Sequence, residues 1–297
     1  MPKEITHWVI AEKTLQAMDR SPLKDLINNN KALFYFGIIS FDTGFYAGGR
    51  YKKDLIMAAE TLHYSQEQGS FAALSRVAKW IKNSRDPRGW AFLCGCLSHI
   101  ITDSSFHPLV YYLTGDPHDP DPIIKKRANI EHRRLESRLD LFTKDLTDLD
   151  NDASVNRLLD MNDRDLVVDL VISLYRGSIY GRSAIEKAVR NHGFYYWLFG
   201  SRSLYHFFQV VNFVVRGALD LELSLFYPAP CKTDAFYFTN PKEYTDPFTG
   251  EHRSETVMQI AERVIQHTAE LYEMFAQSMD IDACIDYLTK NPGPILA

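Results

Sequence analysis

Cysteine is scarce in this chain, four in 297 residues, and the four do not form a framework. Cys94 and Cys96 stand two apart, which on a helix turns them to different faces, while Cys231 and Cys284 are distant. That excludes a disulfide scaffold and a CxxC zinc knuckle, and leaves buried free thiols in a reducing compartment as the expectation. Basic excess is also missing: the net charge is −5 and the pI is near 6.1. No phosphate-tracking surface for duplex nucleic acid is therefore expected. No apolar run reaches transmembrane length. The closest spans 193–215, but Ser201-Arg202-Ser203 interrupts it, so a buried helix or a pair of helices is expected there. The start, Met1 to His7, is polar, without a basic region followed by an apolar one, and a cytoplasmic location is the expectation.

Strand-like alternation is absent as well, whereas apolar residues recur at helical intervals almost everywhere. The periodicity predicts helices at about 5–19, 22–30, 52–65, 69–83, 88–106, 123–146, 155–161, 163–176, 179–191, 203–226, 253–278 and 280–289. Ser21-Pro22 and Ser154 read as helix starts, and His107-Pro108 as a helix end. Two stretches read as loops. One is Gly115–Pro122, dense in Asp and Pro; the other runs from Tyr227 to Arg253 and holds Pro228, Pro230, Pro241, Pro247 and Gly250. The fold class is all-α. A polar run, Thr147–Ser154, is a candidate boundary between a metal-bearing region, 1–150, and a helical C-terminal region, 151–297. One continuous helical domain satisfies the same pattern.

What the chain does have is a rhythm of metal-ligating residues. His99, Asp103 and His107 are four apart, and His132 and Glu136 repeat the interval. Residues four apart share a helix face, with Cβ atoms roughly 5–6 Å apart. Two such helices side by side would aim three imidazoles and two carboxylates into one volume, a donor set suited to more than one ion. Upstream, His7 opens the first helix, Asp42 follows Gly37-Ile-Ile-Ser-Phe41, and His63 lies in Glu60-Thr-Leu-His63.

In this order, His7, Asp42, His63, His99, Asp103, His107, His132 and Glu136, the chain resembles the zinc-dependent phospholipases C of the bacterial phosphatidylcholine-hydrolysing kind. The resemblance extends to the single-strand nucleases that share their trinuclear zinc site. It covers residues 7–136 and implies a multi-helix bundle with a metal site between helices. It further implies one Zn2+ held by Asp42, His63, His99 and Asp103, and a second held by His107, His132 and Glu136. Asp103 would also reach toward a third. In the family that third ion takes the first histidine together with the N-terminal tryptophan. Here Trp8 follows His7 instead, and the six residues before His7 span at most about 20 Å, within which Met1 or Pro2 could fold back. The implied activity is phosphoester hydrolysis of a phospholipid or nucleotide by metal-activated water, with Asp42 as both ligand and base, and with possible peripheral membrane contact.

Other residues carry duller expectations. Glu131 and Arg134 flank the second pair and read as solvated charge. His118 sits in the Asp/Pro loop; His192, His206, His252 and His267 have no acid at ligand spacing. Phe41, Phe45 and Tyr46 beside Asp42 are candidates for a pocket wall or a cation–π cradle, with core packing as the ordinary alternative. An HD phosphohydrolase is disfavoured because its adjacent His-Asp doublet occurs only as His118-Asp119, in a proline-rich loop. The non-catalytic alternative is a helical scaffold that keeps its metal for stability.

Overall fold

The helical periodicity is realised in a computed structural model of the chain, which describes residues 3–64, 69–117, 119–144, 146, 154–161, 163–176, 179–229 and 231–290. Among the described residues the α-helices are α1 (Glu4–Ala17), α2 (Pro22–Asn29), α3 (Lys31–Ile39), α4 (Lys52–Tyr64), α5 (Phe71–Ser84), α6 (Gly89–Thr114) and α7 (Pro122–Lys144). There follow α8 (Val155–Met161), α9 (Arg164–Leu174), α10 (Arg182–Gly200), α11 (Arg202–Val214), α12 (Asp220–Leu223), α13 (Lys232–Thr239), α14 (Val257–Ser278) and α15 (Ile281–Lys290). A 3-10 segment, Ser40–Tyr46, links α3 to α4. The expected caps form: the Ser21 side chain accepts from Lys24 N at 3.2 Å, and that of Ser154 from Arg157 N at 3.4 Å.

α6 is the spine. It is buried through most of its length and crosses α3 with the two backbones in contact. Glycine makes that approach possible. A Cβ on Gly37 would stand 2.1 Å from the carbonyl oxygen of Phe92, and one on Gly95 would stand 2.2 Å from that of Phe34. Around this crossing one apolar core takes in Trp8, Phe34, Phe92, Val167, Ile185 and Tyr272, from helices on both sides of 147–154. α3 packs on α8, and α1 on α14. The candidate boundary itself lies largely outside the described residues.

Four expectations are corrected. α6 does not end at His107 but runs through Pro108 to Thr114. Pro108 removes one helical hydrogen bond, a cost of about 3 kcal/mol, and burial of this helix on several neighbours outweighs it. α3 was not expected, because Leu33–Ile39 is apolar on every side and shows no face to a periodicity search. The stretch 227–253 holds α13 and a small antiparallel hairpin, β1 (Lys242–Thr245) with β2 (His252–Glu255), in which Tyr244 pairs with Arg253. Pro241, Pro247 and Gly250 punctuate these elements rather than abolish them. Finally, 193–215 is a pair of helices broken at Ser201, whose side chain caps α11, but the second is not buried: α11 buries no residue at all.

Candidate metal centre

α1, α6 and α7 converge on one volume, and particular side chains fix how. The first N–H groups of α1 have no helical partner, and the carboxylate of Asp140 on α7 accepts two of them, Ile5 N at 3.0 Å and Thr6 N at 2.9 Å. It also accepts the Thr6 hydroxyl at 2.6 Å. Asp140 lies four residues beyond Glu136, so one face of α7 both presents His132 and Glu136 and clamps the helix that carries His7. That residue escaped the sequence reading, although it continues the same four-residue rhythm. Trp8 anchors the other side of α1 by donating from Nε1 to the Tyr35 carbonyl at 3.0 Å.

Two groups of ligand atoms each gather within 4.8 Å: His7, His99 and Asp103, and Asp42, His63 and His99. His7 Nε2 stands 3.0 Å from Asp103 Oδ1, and His99 Nε2 stands 3.3 Å from Asp103 Oδ2. His63 Nε2 lies 3.5 Å from Asp42 Oδ1 and 3.8 Å from Asp103 Oδ2. The Nδ1–H of His63 donates to the Ala59 carbonyl, one turn back, at 2.7 Å. That leaves Nε2 as the lone-pair atom, and it faces His99 Nε2 at 3.1 Å. The rings are held flat: His99 is stacked between His7 at 4.4 Å and Phe41 at 5.1 Å, and Phe45 stacks on His63 at 5.5 Å.

His132 Nε2 and Glu136 Oε1 meet at 2.8 Å, one turn apart on α7. His107 approaches them, its ring 6.1 Å from that of His132, and Tyr111 stacks against it at 5.1 Å. These three do not close into a group as tight as the other two. Of the eight expected ligands, five therefore converge tightly, His132 and Glu136 line the adjoining cavity, and His107 packs beside them. Met1 and Pro2, considered as N-terminal ligands, and His118, read as a solvated loop residue, lie outside the described residues. Glu131 and Arg134 pair with each other at 2.9 Å on the exposed side of α7.

The donor set suits a divalent cation. Among the described residues, the ion-pair partners of Asp42 and Asp103 are imidazoles. Both Asp103 oxygens, Asp42 Oδ1, both His7 ring nitrogens and His107 Nε2 are buried with no hydrogen bond among the described residues. Each such atom costs about 1–3 kcal/mol if nothing compensates it, so their convergence marks a place for an ion. Burial alone would raise the Asp103 pKa, but the imidazoles of His99 and His7 hold it well below the usual carboxylate range. Burial pushes His107 down to about 3 and His132 well below its ordinary value, favouring the neutral rings that metal ligation requires.

Residues 6–181, more than half of the chain, match the family described as zinc dependent phospholipase C. The chain belongs to that family. Zinc dependence accompanies the family, and the matched segment contains all eight residues of the ordered set. No curated protein and no solved structure matches the chain.

In this member of the zinc dependent phospholipase C family, a cavity of about 790 Å3 opens beside the centre. Asp42, His132 and Glu136 line it, the cations Lys3, Lys52, Lys125 and Arg133 alternate with the acids Glu4, Glu60 and Glu222, and Leu198, Phe199, Phe208 and Phe226 form an apolar wall. Phe45 and Tyr46 line it too, while Phe41 is fully buried against His99. His192, given no role by its sequence neighbours, stands 3.4 Å from Glu4 on the cavity's edge, with its ring stacked on Tyr46 at 4.2 Å. Its acid lies 188 residues away in the chain, beyond the reach of any spacing rule.

Proposed function

We propose that this chain is a zinc-dependent phosphoester hydrolase whose substrate is a phospholipid. The observation that carries the reading is the cavity: its ligand-rich end, the cations Lys52, Lys125 and Arg133 among its mixed-charge lining, and its apolar wall suit a phosphate joined to hydrocarbon. Asp42, His63, His99 and Asp103 would hold one zinc, and His107, His132 and Glu136 would supply ligands for a second. His7, beside Asp103, is the remaining ligand available to a third. Bound zinc neutralises a phosphodiester, polarises its non-bridging oxygens and lowers the pKa of a bound water toward neutrality.

The chain's own residues supply the rest. Asp42 is a ligand-group member that also faces the cavity, so its carboxylate is placed to take the attacking water's proton. Water adds to phosphorus, the bond to the glycerol oxygen breaks, and that oxygen receives the proton, giving a diacylglycerol and a phosphorylated headgroup. Arg133 hydrogen-bonds the Leu221 carbonyl at 3.4 Å, and burial lowers its pKa. It is positioned to hold a phosphate oxygen at the cavity wall. The apolar wall favours lipid over nucleotide, and the cavity's access to Asp42 and Glu136 favours catalysis over a closed structural site.

Elemental analysis together with hydrolysis of phosphatidylcholine, bis-p-nitrophenyl phosphate and single-stranded DNA tests this. Zinc in the protein and preferential cleavage of phosphatidylcholine are expected. Preference for DNA would transfer the site to nuclease chemistry, and a metallated protein inert on all three would make it a scaffold. Asp42→Asn should lower kcat by about 100-fold or more; unchanged turnover would remove Asp42 from the reaction.

A further inference from the structure

Among the described residues, the successive helices α10 and α11 leave a set of large apolar side chains exposed. Phe194 and Trp197 on α10, and Phe207, Val210, Phe213 and Val214 on α11, are all exposed, Phe213 by 87%. On each helix these positions recur at intervals of three or four, so they form stripes rather than scattered residues. The principal packing partners of α11 are α10 and α12. Isolated exposed apolar residues are ordinary, but a continuous patch marks an interaction surface.

Charge and placement identify the occupant. Between residues 187 and 219 there is no Asp or Glu, while Lys187, Arg190, Arg202 and Arg216 are all exposed, in a chain whose net charge is −5. Aromatic and aliphatic side chains flanked by cations suit the boundary between acyl chains and anionic headgroups, where tryptophan is enriched. Spanning is excluded: no helix among the described residues is long and apolar enough to cross a membrane, and α11 has 13 residues. The same two helices contribute Leu198, Phe199 and Phe208 to the wall of the cavity that Asp42, His132 and Glu136 also line, so the exposed residues and the cavity wall share one pair of helices.

We propose that the exposed faces of α10 and α11 lie in the surface of a phospholipid bilayer, with their apolar stripes below the headgroups and the cavity mouth against the lipid. The purpose of this contact rests on the phospholipid reading of the site, but binding is measured without hydrolysis. The zinc-loaded full chain is floated with vesicles of phosphatidylcholine, with and without phosphatidylglycerol. Binding is expected, stronger on the anionic vesicles, with a blue shift of tryptophan emission that Trp197→Phe abolishes. The double variant Phe207→Ser/Phe213→Ser should bind about tenfold more weakly or worse, with unchanged circular dichroism and unchanged turnover of soluble bis-p-nitrophenyl phosphate. Failure of the wild type to float, or equal flotation of the double variant, overturns the proposal. So does a wild-type dimer in light scattering that the double variant dissociates while neither binds vesicles, since the face would then belong to a second copy. A protein that floats but hydrolyses nothing would refute the catalytic reading and leave this one standing.

Discussion

Glu4 and His192 form a buried pair that supports the centre from behind its ligands. Tyr46 donates to Glu4 at 3.1 Å, and the Thr43 hydroxyl meets His192 Nδ1 at 3.2 Å, so α1, the 3-10 segment and α10 are tied at one point. Burial works against the Glu4 charge, yet His192, as hydrogen-bond partner and nearby charge, brings its pKa down to about 2 from an ordinary 4.5. A carboxyl depressed by folding contributes stability above its unfolded pKa and loses it as pH falls through the folded value. Stability should therefore drop between about pH 4.5 and 2, by up to about 3 kcal/mol from this residue. Denaturant titration across that range should show the slope, and Glu4→Gln should flatten it; an unchanged slope would mean that other carboxyls govern acid unfolding.

At the scale of elements, the four-residue rhythm is longer than its metal-ligating part. On α6 it begins with Gly95, which lets α3 press against the backbone one turn before His99, and continues through Asp103 and His107. On α7 it ends with Asp140, which clamps α1. Each helix thus carries its docking residue and its ligands in one register, so packing and coordination are set together. Gly95→Ala should be destabilising by about 1–3 kcal/mol or more, because its Cβ would strike backbone rather than a movable side chain. Zinc content should fall with it as His99 shifts. Gly200→Ala, where a Cβ meets nothing within 4 Å, is the control and should alter neither. Equal melting temperatures for the two variants would refute the close-crossing account.

Across the whole molecule, the centre joins α1, α4, α6, α7 and the 3-10 segment, so an ion held there binds the folded chain and not the unfolded one. Stability should rise with zinc by mass action, about 2.7 kcal/mol at a hundredfold excess over Kd. For a chain of this size that is a melting shift of about 4 °C, reversed by chelation. An identical melting curve with and without chelator would show that the buried donors are satisfied without an ion.

Much of this was legible in the chain. Helical periodicity set the all-α class, and spacing alone put His99, Asp103 and His107 on one face and His132 and Glu136 on another, because i to i+4 geometry is local. α3 was invisible to the same method, since a helix buried on all sides has no face to detect. His192 could not be assigned because its partner is remote, and the exposure of α11 could not be foreseen because apolar sequence does not say whether anything packs on it. Local order thus determined which residues share a helix face and which chemistry they can perform. Only the tertiary structure decided how those faces meet, which ligands form tight groups, and that α10 and α11 are left exposed among the described residues, because each depends on contacts between segments far apart in the chain.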